Sequence, residues 1–182
     1  LFDAAAEVIL ERGYAAATVA DITERAGYAV GTFYTHFESR QELFNRLLTH
    51  VRDSMLTDVR AAIRGSRSFL DMEARAFRAF FDHLSLNPWY VRIESEAAVW
   101  APEIYRQHFF EIADLYIAAL RVSRAGGEFV GYADRDLEVL VYIFMAARHY
   151  LAARYLGGAP GAQLPEVVFE AYMGLVSHGL SV

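Results

Sequence analysis

The chain of 182 residues contains no cysteine, no lysine and only four prolines. Without cysteine it can form no disulfide, no thiolate nucleophile and no cysteine-ligated zinc site, which favours a cytoplasmic location. The longest strictly apolar run, residues 139–147, stops at Arg148 after nine residues, whereas a membrane-spanning helix needs about 20. The sequence does not begin with a signal-peptide pattern either. These absences argue against disulfide-rich, thiol-dependent and membrane-spanning proteins.

What the sequence has instead is a large apolar fraction. Hydrophobic residues make up 55% of the chain and aromatic residues 14%, so a sizeable core can be buried and an ordered chain is expected. The net charge is −6, and all 17 basic residues are arginine. Taken alone, this acidic balance argues against a nucleic acid as a partner.

Apolar residues recur at spacings of three and four almost throughout the chain, and this periodicity predicts an all-α fold. Caps, glycines and prolines divide the pattern into nine helices. We expect these helices at about 1–12, 18–27, 29–37, 39–64, 68–86, 89–99, 103–124, 135–156 and 165–180. The change from short to long helices at Ser39 is the one hint of a domain boundary.

Two short helices joined at Gly27 form the most informative segment. On the second helix, Phe33 and Phe37 lie one turn apart and would pack the pair together, while Gly31 and Thr35 would point outward. The outward face carries no acidic residue, and its hydroxyl and imidazole groups can donate to phosphate oxygens. Such a pair can place its second helix in the DNA major groove, although short helix pairs that only pack together are also common.

The residues of this segment support a specific resemblance. Residues 18–27 read TVADITERAG, residues 31–44 read GTFYTHFESRQELF, and residues 4–14 read AAAEVILERGY. They resemble the DNA-binding domain of the TetR family of one-component bacterial repressors, without gaps over about the first quarter of the chain. The resemblance implies a nine-helix TetR-like architecture, with a helix-turn-helix domain over residues 1–46 and a ligand-binding and dimerisation domain over 47–182.

In function, the resemblance implies a cytoplasmic regulator that needs no cofactor or metal. Such a regulator binds a palindromic DNA operator as a homodimer and is released by a small inducer. In that family a basic arm commonly precedes the first helix, so we expect the residues before Leu1 to carry one.

Carried over by position, the resemblance implies two sets of DNA-contacting residues. The phosphate contacts fall to Thr18, Thr32, Tyr34, His36 and Arg40, and the groove-facing positions are Ala29, Val30, Gly31 and Thr35. Two positions depart from the family pattern, because Ala29 stands where Ser or Thr is frequent and Val30 stands where Lys or Arg is frequent. Residues 1–47 hold four arginines against seven acidic residues.

Positive charge must therefore be concentrated at helix N-termini and at Arg40 with Arg25 or Arg46, which predicts a modest salt dependence of DNA binding. An alternative is a ligand-binding protein of the same fold with weak or lost DNA recognition.

The region after Arg46 is rich in large aromatic side chains. Each one taken alone is more typical of core packing, but so many together suit an apolar cavity with a few polar anchors. We predict a pocket for a largely hydrophobic or aromatic inducer, lined by Phe77, Phe81, Trp89, Trp100, Tyr105, Phe109, Tyr116, Tyr142 and His149. A polar end of the ligand could be oriented by His83, Arg106, His108 or His149, and for each lone histidine a core role is the alternative.

The last two predicted helices carry more apolar surface than one core can use. Residues 137–147 are apolar nearly all round, and the helix at 165–180 has a broad apolar stripe with small residues. Paired with the same helices, 135–156 and 165–180, of a second copy, they would form a four-helix interface, which the resemblance also implies. The alternative is that both helices complete the core of a single chain.

An enzyme is the rival from another class of function. The sequence shows no nucleophile elbow, phosphate-binding glycine loop or paired metal-ligand spacing, so catalysis would need histidines and carboxylates gathered from separate helices. The helix at 39–64 instead begins beside the predicted phosphate contacts and ends under the predicted pocket. We expect a ligand that favours one tilt of this helix to change the spacing of the two recognition helices.

Overall fold

The computed structural model describes residues 1–128, 131–157 and 161–179, and these residues form nine α-helices and no strand. The helices are α1 (Phe2–Arg12), α2 (Val19–Ala26), α3 (Val30–Tyr34), α4 (Arg40–Ile63), α5 (Phe69–Leu86), α6 (Tyr90–Trp100), α7 (Pro102–Ala125), α8 (Asp134–Tyr155) and α9 (Glu166–Gly179). The all-α class is confirmed. The helix bounds lie close to the expected ones, except at α3. Residues 180–182, which end the predicted last helix and second domain, lie outside the described residues.

Side-chain caps fix where several helices begin. The side-chain oxygens of Thr18, Ser39 and Ser68 each accept a hydrogen bond from a backbone N–H three residues on, at 3.1 Å. These three bonds satisfy donors at the starts of α2, α4 and α5 that have no partner inside the helix. Gly27 ends α2 in the left-handed conformation, at φ 71°.

The third helix is shorter than the periodicity predicts. Ala29 precedes it and offers no side-chain cap. At the other end, the N–H groups of His36 and Phe37 both bond to the carbonyl of Phe33, so the chain tightens into a turn instead of continuing the helix. The expected span of 29–37 was therefore too long, because the last three residues form that turn.

The first three helices and the first half of α4 share an apolar core. Phe33 of α3, Ile22 of α2 and Phe44 of α4 are each almost completely buried in it. The predicted domain division between residues 46 and 47 falls inside α4, so this helix belongs to both parts of the fold. The division itself stays a prediction.

The remaining helices pack into a larger bundle. Helix α4 lies along α5, α7 lies along α8, and α9 packs against α5. Phe69 and Phe77 of α5 and Leu120 of α7 are fully buried between these helices. Within the described ranges, no helix is long and apolar enough to cross a membrane.

The end of α1 is in close contact with α6. Gly13 has a φ of 76°, which favours glycine, and a Cβ atom there would lie 2.6 Å from Nη2 of Arg92 on α6. Nearby, the Tyr14 hydroxyl donates to Gln41 at 2.7 Å, and the Gln41 amide donates to the carbonyl of Trp100 at 3.2 Å. The N-terminal helices are thus joined to the bundle through α6 as well as through α4.

Candidate functional site

The outer face of α3 is exposed and carries no acidic side chain. Val30 and Tyr34 are 46% and 59% exposed, and Gly31 and His36 are exposed beside them. Phe33 points the other way into the core. This face can approach a phosphate backbone closely, and the Tyr34 hydroxyl is positioned on the surface as a donor.

Thr18 and Asp21 form a closed pair at the start of α2. The Thr18 hydroxyl donates to the Asp21 carboxylate at 2.6 Å, and the backbone N–H of Thr18 donates to the same oxygen at 3.0 Å. These bonds from Thr18 hold the pKa of the Asp21 carboxyl below its usual value. Both donors of Thr18 are therefore committed within the protein.

Arg40 is turned towards the protein. Its Nη1 atom donates to the backbone carbonyls of Tyr14, Ala15 and Ala17 at 2.9, 3.3 and 2.6 Å. Its guanidinium carbon also lies 4.4 Å from the centroid of the Tyr14 ring. Arg40 thus fastens α4 to the segment between α1 and α2.

The other three arginines of the first 46 residues have acidic partners. Arg12 contacts Asp21 at 2.6 Å, and Arg25 contacts Glu7 and Glu11 at 3.1 and 2.7 Å. The third arginine, Arg46 of α4, contacts a carboxylate one turn away at 3.6 Å. No arginine in this stretch presents an unpartnered guanidinium to DNA.

A second feature is a cavity of about 580 Å³ in the helical bundle, enclosed by α4, α5, α6, α7 and α8. Its wall is mostly aliphatic and aromatic. Apolar side chains on the wall include Val51, Met55, Leu56, Met72, Ala76, Phe80, Ile93, Ala97, Phe109, Ile112 and Met145. The volume and the apolar wall are typical of a site for a small organic molecule.

One side of the cavity is formed by a buried polar network. Glu73 of α5 is fully buried, and its carboxylate accepts from Nη2 of Arg148 at 2.6 Å and from the hydroxyl of Tyr172 at 2.5 Å. The hydroxyl of Tyr116 donates to the same carboxylate. Arg148 and Tyr116 line the cavity. This network joins α5, α7, α8 and α9 at a single carboxylate.

Another part of the wall carries two histidines with opposite pKa shifts. His149 lies 3.6 Å from the carboxylate of Glu94, and this contact raises the pKa of its imidazole. His108 lies 3.4 Å from the Thr49 hydroxyl, and burial together with nearby Arg52 lowers its pKa. The two imidazoles of the cavity wall thus have pKa values shifted in opposite directions.

The N-terminal helices, which carry the first of these two features, are similar to a known family. Residues 1–47 match the model described as "Bacterial regulatory proteins, tetR family". Residues 1–47 belong to the TetR family. The match covers the capped α2, the short α3 and the first turns of α4.

One relative matches over the whole chain and another over its first part. The chain is 28% identical over 184 residues to the HTH-type transcriptional repressor KstR2 of Mycobacterium tuberculosis, covering 100% of this chain and 91% of KstR2. It is 37% identical over 84 residues to the HTH-type transcriptional activator FasR of Mycolicibacterium smegmatis, covering 46% of this chain and 38% of FasR. The chain is a transcriptional regulator of this family, and the expectation of a regulator instead of an enzyme is confirmed.

Solved structures share the fold of the whole TetR-family chain. FadR of Bacillus halodurans, described as a fatty acid degradation regulator, has a TM-score of 0.83 at 18% identity and covers 96% of this chain and 91% of its own. KstR2 of Mycobacterium tuberculosis, described as a ketosteroid transcriptional regulator, has a TM-score of 0.72 at 22% identity, with 100% and 93% coverage. At these identities the likeness concerns the fold.

The nine residues predicted to contact DNA differ in their exposure and in their partners within the protein. Exposed positions on or beside α3 are taken by Ala29, Val30, Gly31, Tyr34, Thr35 and His36. Thr32 is half-buried, and the hydroxyl of Thr35 already donates to its carbonyl at 2.7 Å. Thr18 is paired with Asp21, and one nitrogen of Arg40 donates to three backbone carbonyls. The predicted phosphate roles of both residues stay predictions.

Only some of the predicted pocket residues line the cavity. Tyr105, Phe109, Tyr116 and His149 are on its wall. The other five, Phe77, Phe81, Trp89, Trp100 and Tyr142, are not on the wall of this cavity, and their predicted contact with a ligand stays a prediction.

The physical reasons differ among these five residues. Phe77 and Phe81 are buried in the core between helices, and Trp89 packs against that core at the start of α6. Trp100 faces the N-terminal helices, with its ring 5.5 Å from that of Tyr14. Tyr142 stacks behind the wall residue Phe109, at a ring separation of 5.6 Å.

The predicted polar anchors separate in the same way. His108 and His149 line the cavity, whereas Arg106 is exposed outside it. His83 has a core role, since it is buried and contacts Asp58 at 2.6 Å. Sequence reasoning missed Arg148, although its position at the end of the apolar run 139–147 was a signal of burial.

Helices α8 and α9 each have two apolar faces. On α8, Val141 and Phe144 are buried, while Ile143 and Tyr150 are 53% and 74% exposed. On α9, Val168, Tyr172 and Val176 are buried, whereas Val167 and Leu175 are 66% and 71% exposed. Both helices therefore expose apolar side chains beyond those that pack in the core, as the sequence predicts.

Proposed function

We propose that this chain is a ligand-responsive repressor that binds a palindromic operator as a homodimer and releases it when an apolar ligand enters the cavity. The observation that carries the proposal is the combination of a TetR-family α2–α3 unit with an apolar cavity of about 580 Å³ in one chain. Helix α4 contacts the end of the α2–α3 unit through Arg46 and also lines the cavity, and α6 lines the cavity and packs against α1.

The recognition face supports DNA binding through close approach instead of charge. Gly31 brings backbone near the groove, and the Val30 side chain can contact a thymine methyl group. Tyr34 and His36 can donate to phosphate oxygens. Because the arginines of this region are held by internal partners, we expect a shallow dependence of affinity on salt.

Coupling between cavity and DNA runs through the two shared helices. Helix α4 begins next to α3 and then contributes Val51, Met55 and Leu56 to the cavity wall. Helix α6 contributes Ile93 and Ala97 to the same wall while it packs against the end of α1. A ligand that moves either helix changes the position of the recognition helix.

The exposed apolar faces of α8 and α9 support the dimer. A two-fold axis beside these helices would bury both faces against the same faces of a second copy. A dimer in turn presents two recognition helices with the symmetry of a palindromic operator.

The ligand is proposed to be largely hydrocarbon. The wall supports this directly, since most of its side chains are aliphatic or aromatic. Two proteins with a similar fold are described as a ketosteroid transcriptional regulator and a fatty acid degradation regulator. Ketosteroids and fatty acids are largely hydrocarbon.

The decisive experiment is a footprint of the full chain on the DNA that flanks its own gene. We expect a protected palindrome, and we expect a saturating ligand to weaken binding by about 5- to 150-fold, the usual range of an effector. Absence of protection, or equal affinities with and without a ligand that occupies the cavity, would reject the proposal.

A specific observation favours one alternative, a TetR-family ligand-binding protein without DNA recognition. Ala29 gives α3 no side-chain cap, Val30 gives it no charge, and Arg40 is committed internally. Replacing Tyr34 and His36 by alanine distinguishes the two. In a repressor the double variant loses the footprint but keeps ligand binding and dimerisation, whereas in the alternative there is no footprint to lose.

A further inference from the structure

The cavity in the helical bundle follows one face of α4. It is lined by Leu48, Val51, Met55, Val59 and Ile63, which succeed one another at spacings of three and four. Residues at these spacings share one face of a helix. Between Leu48 and Ile63 the cavity therefore extends for about 22 Å, at 1.5 Å per residue.

The wall on α7 has the same pattern. It is formed by Tyr105, His108, Ile112, Leu115 and Ala119, again at spacings of three and four. This face of α7 is about 21 Å long. Two helices thus each line the cavity over about four turns.

Contacts between α4 and α7 show that these two walls lie side by side. The hydroxyl of Thr49 lies 3.4 Å from Nε2 of His108, and Arg52 donates to Glu111. Both contacts join residues 59 positions apart, so the two helices run in the same direction. The cavity is therefore a channel that follows both helices.

This channel is long for its volume. A sphere with the cavity volume of about 580 Å³ would be only about 10 Å across, which is about half the length along α4. A compact molecule would leave part of the channel empty, and the wall beside the empty part would lose its van der Waals contacts. The shape therefore favours an elongated ligand.

The middle of the channel favours hydrocarbon. Met55 and Ile112 lie midway along the two walls. The polar side chains of Tyr116 and Arg148, which also line the cavity, already contact Glu73. Because an unpaired polar group is costly in such surroundings, a ligand segment without hydrogen-bonding groups fits best there.

We propose that the ligand carries an unbranched hydrocarbon chain of about 16 carbons, which lies extended along α4 between Leu48 and Ile63. An extended chain advances about 1.25 Å per carbon, because its C–C bonds are about 1.5 Å long. The inference rests on the proposed function, since it names the ligand class for the same cavity.

The first test measures how the affinity of the full chain for unbranched 1-alkanols depends on their length. Displacement of the neutral dye Nile red gives the affinities of 1-octanol, 1-decanol, 1-dodecanol, 1-tetradecanol and 1-hexadecanol. Each added CH₂ group should raise the affinity about fourfold, as burial of a methylene predicts. This rise should continue beyond 1-dodecanol, because the channel is longer than that chain.

Cyclododecanol provides a matched comparison for 1-dodecanol. It has the same number of carbons and one hydroxyl, but its carbons form a compact ring. After each affinity is corrected for partition between water and octanol, 1-dodecanol should bind about tenfold more tightly, because the ring is too wide for a narrow channel.

Variants that shorten the channel make the test specific. Ala119→Phe places a ring at the end remote from the N-terminal helices, and Ile63→Trp fills the same end from α4. In both, the affinity should stop rising at about 12 carbons, because the added ring takes the length of about four. The affinity for 1-octanol should not change.

The control variant is Ala118→Phe. Ala118 is exposed and does not line the cavity, so this variant should leave the whole series of affinities as in the unaltered chain. Circular dichroism verifies that each variant is folded.

Four results would overturn the inference. They are an affinity that stops rising at or before 1-dodecanol in the unaltered chain, cyclododecanol binding as tightly as 1-dodecanol after correction, an unchanged length dependence in the folded Ala119→Phe and Ile63→Trp variants, and no binding of any alcohol. The footprint on flanking DNA is read separately and without ligand. A chain that protects DNA but gives one of these results therefore refutes only this inference, whereas failure to protect DNA refutes the proposed function.

Discussion

The N-terminal helices and the cavity-forming bundle use arginine in different ways. In residues 1–46, Arg12 and Arg25 contact carboxylates, and Arg40 contacts three backbone carbonyls. In the bundle, Arg148 is held at Nη2 by Glu73 but keeps a buried N–H without a partner. All four arginines of the first region thus have partners within it, whereas the bundle holds one buried arginine donor without a partner.

This difference indicates where each region can change shape. A unit whose buried polar side-chain atoms all have partners, and whose core contains Phe33 and Phe44 at full burial, moves as a body. The walls of a cavity respond to a molecule that fills it, because a ligand shifts a conformational equilibrium only through contacts that differ between the two states. The ligand is therefore expected to act on the bundle and to move the recognition unit intact.

The largest expected effect comes from breaking the buried pair. Arg148→Met leaves the Glu73 carboxylate without its counter-ion in the core, which should lower the free energy of unfolding by about 3–5 kcal/mol. Urea denaturation followed by circular dichroism measures this. Arg154→Met serves as the control, with an expected change within about 0.5 kcal/mol. Equal losses in both variants would show that the ion pair between Glu73 and Arg148 does not stabilise the bundle.

The next effect concerns the contact between the two regions. Gly13→Ala introduces a Cβ atom at a φ of 76° and 2.6 Å from Nη2 of Arg92, and the strained backbone alone should cost about 1–3 kcal/mol. Gly27→Ala is a matched control, because its φ is also positive, at 71°, yet a Cβ atom there meets nothing within 4 Å.

Both alanine variants are compared by urea unfolding and by Nile red binding. Only Gly13→Ala should also change the dye affinity, since Arg92 lies on α6, which forms part of the cavity wall. If both variants lose the same stability and neither changes dye binding, α6 does not connect the two regions.

A smaller effect is expected at the helix caps within the N-terminal region. Thr18→Ala removes the cap of α2 and should cost about 1 kcal/mol. Ala29→Ser should do the reverse, because Ala29 precedes α3 in an extended conformation, with φ −70° and ψ 148°, and offers no side-chain acceptor. We expect a gain of about 0.5 to 1 kcal/mol in thermal unfolding. No gain from serine would indicate that the five-residue α3 is fixed by its core contacts alone.

The smallest effect is the pH dependence of the two cavity histidines. The raised pKa of His149 stabilises the fold below the ordinary histidine value of 6.5, and this contribution is lost as pH rises through the raised value. The lowered pKa of His108 has the opposite sign, because the unfolded chain takes up the proton first as pH falls below 6.5.

Urea unfolding at about pH 5.5 and pH 8.5 separates these two contributions. At the lower pH, His149→Gln should lose stability and His108→Gln should gain it, each by less than about 1 kcal/mol because both groups are partly exposed. At the higher pH both variants should resemble the unaltered chain. Changes of the same sign at pH 5.5 would contradict the assignment of their environments.

The sequence predicts the helices well because their ends are marked locally. Thr18, Ser39 and Ser68 each cap a helix through a bond to a residue three positions away, and such a signal needs no knowledge of the rest of the fold. The α2–α3 unit was recognisable for the same reason, since its residues are consecutive.

The cavity was less predictable because it depends on contacts between distant residues. Phe80 and Phe81 are neighbours on α5, yet only Phe80 faces the cavity, and the rotation of α5 is set by how α4 and α9 pack on it. Glu73 and Tyr172 are 99 positions apart and meet at 2.5 Å. The internal contacts of Arg40 could not be predicted either, because its acceptors are backbone carbonyls, which every residue has.

The length of α4 has a mechanical consequence. Its 24 residues make a rigid arm of about 36 Å at 1.5 Å per residue. A tilt of about 5° around the far end, near Ile63, would displace the first turn by about 3 Å over that length. One base step along a DNA strand is about 3.4 Å. A rotation of a few degrees at one end of α4 therefore moves its other end by about the distance between neighbouring bases.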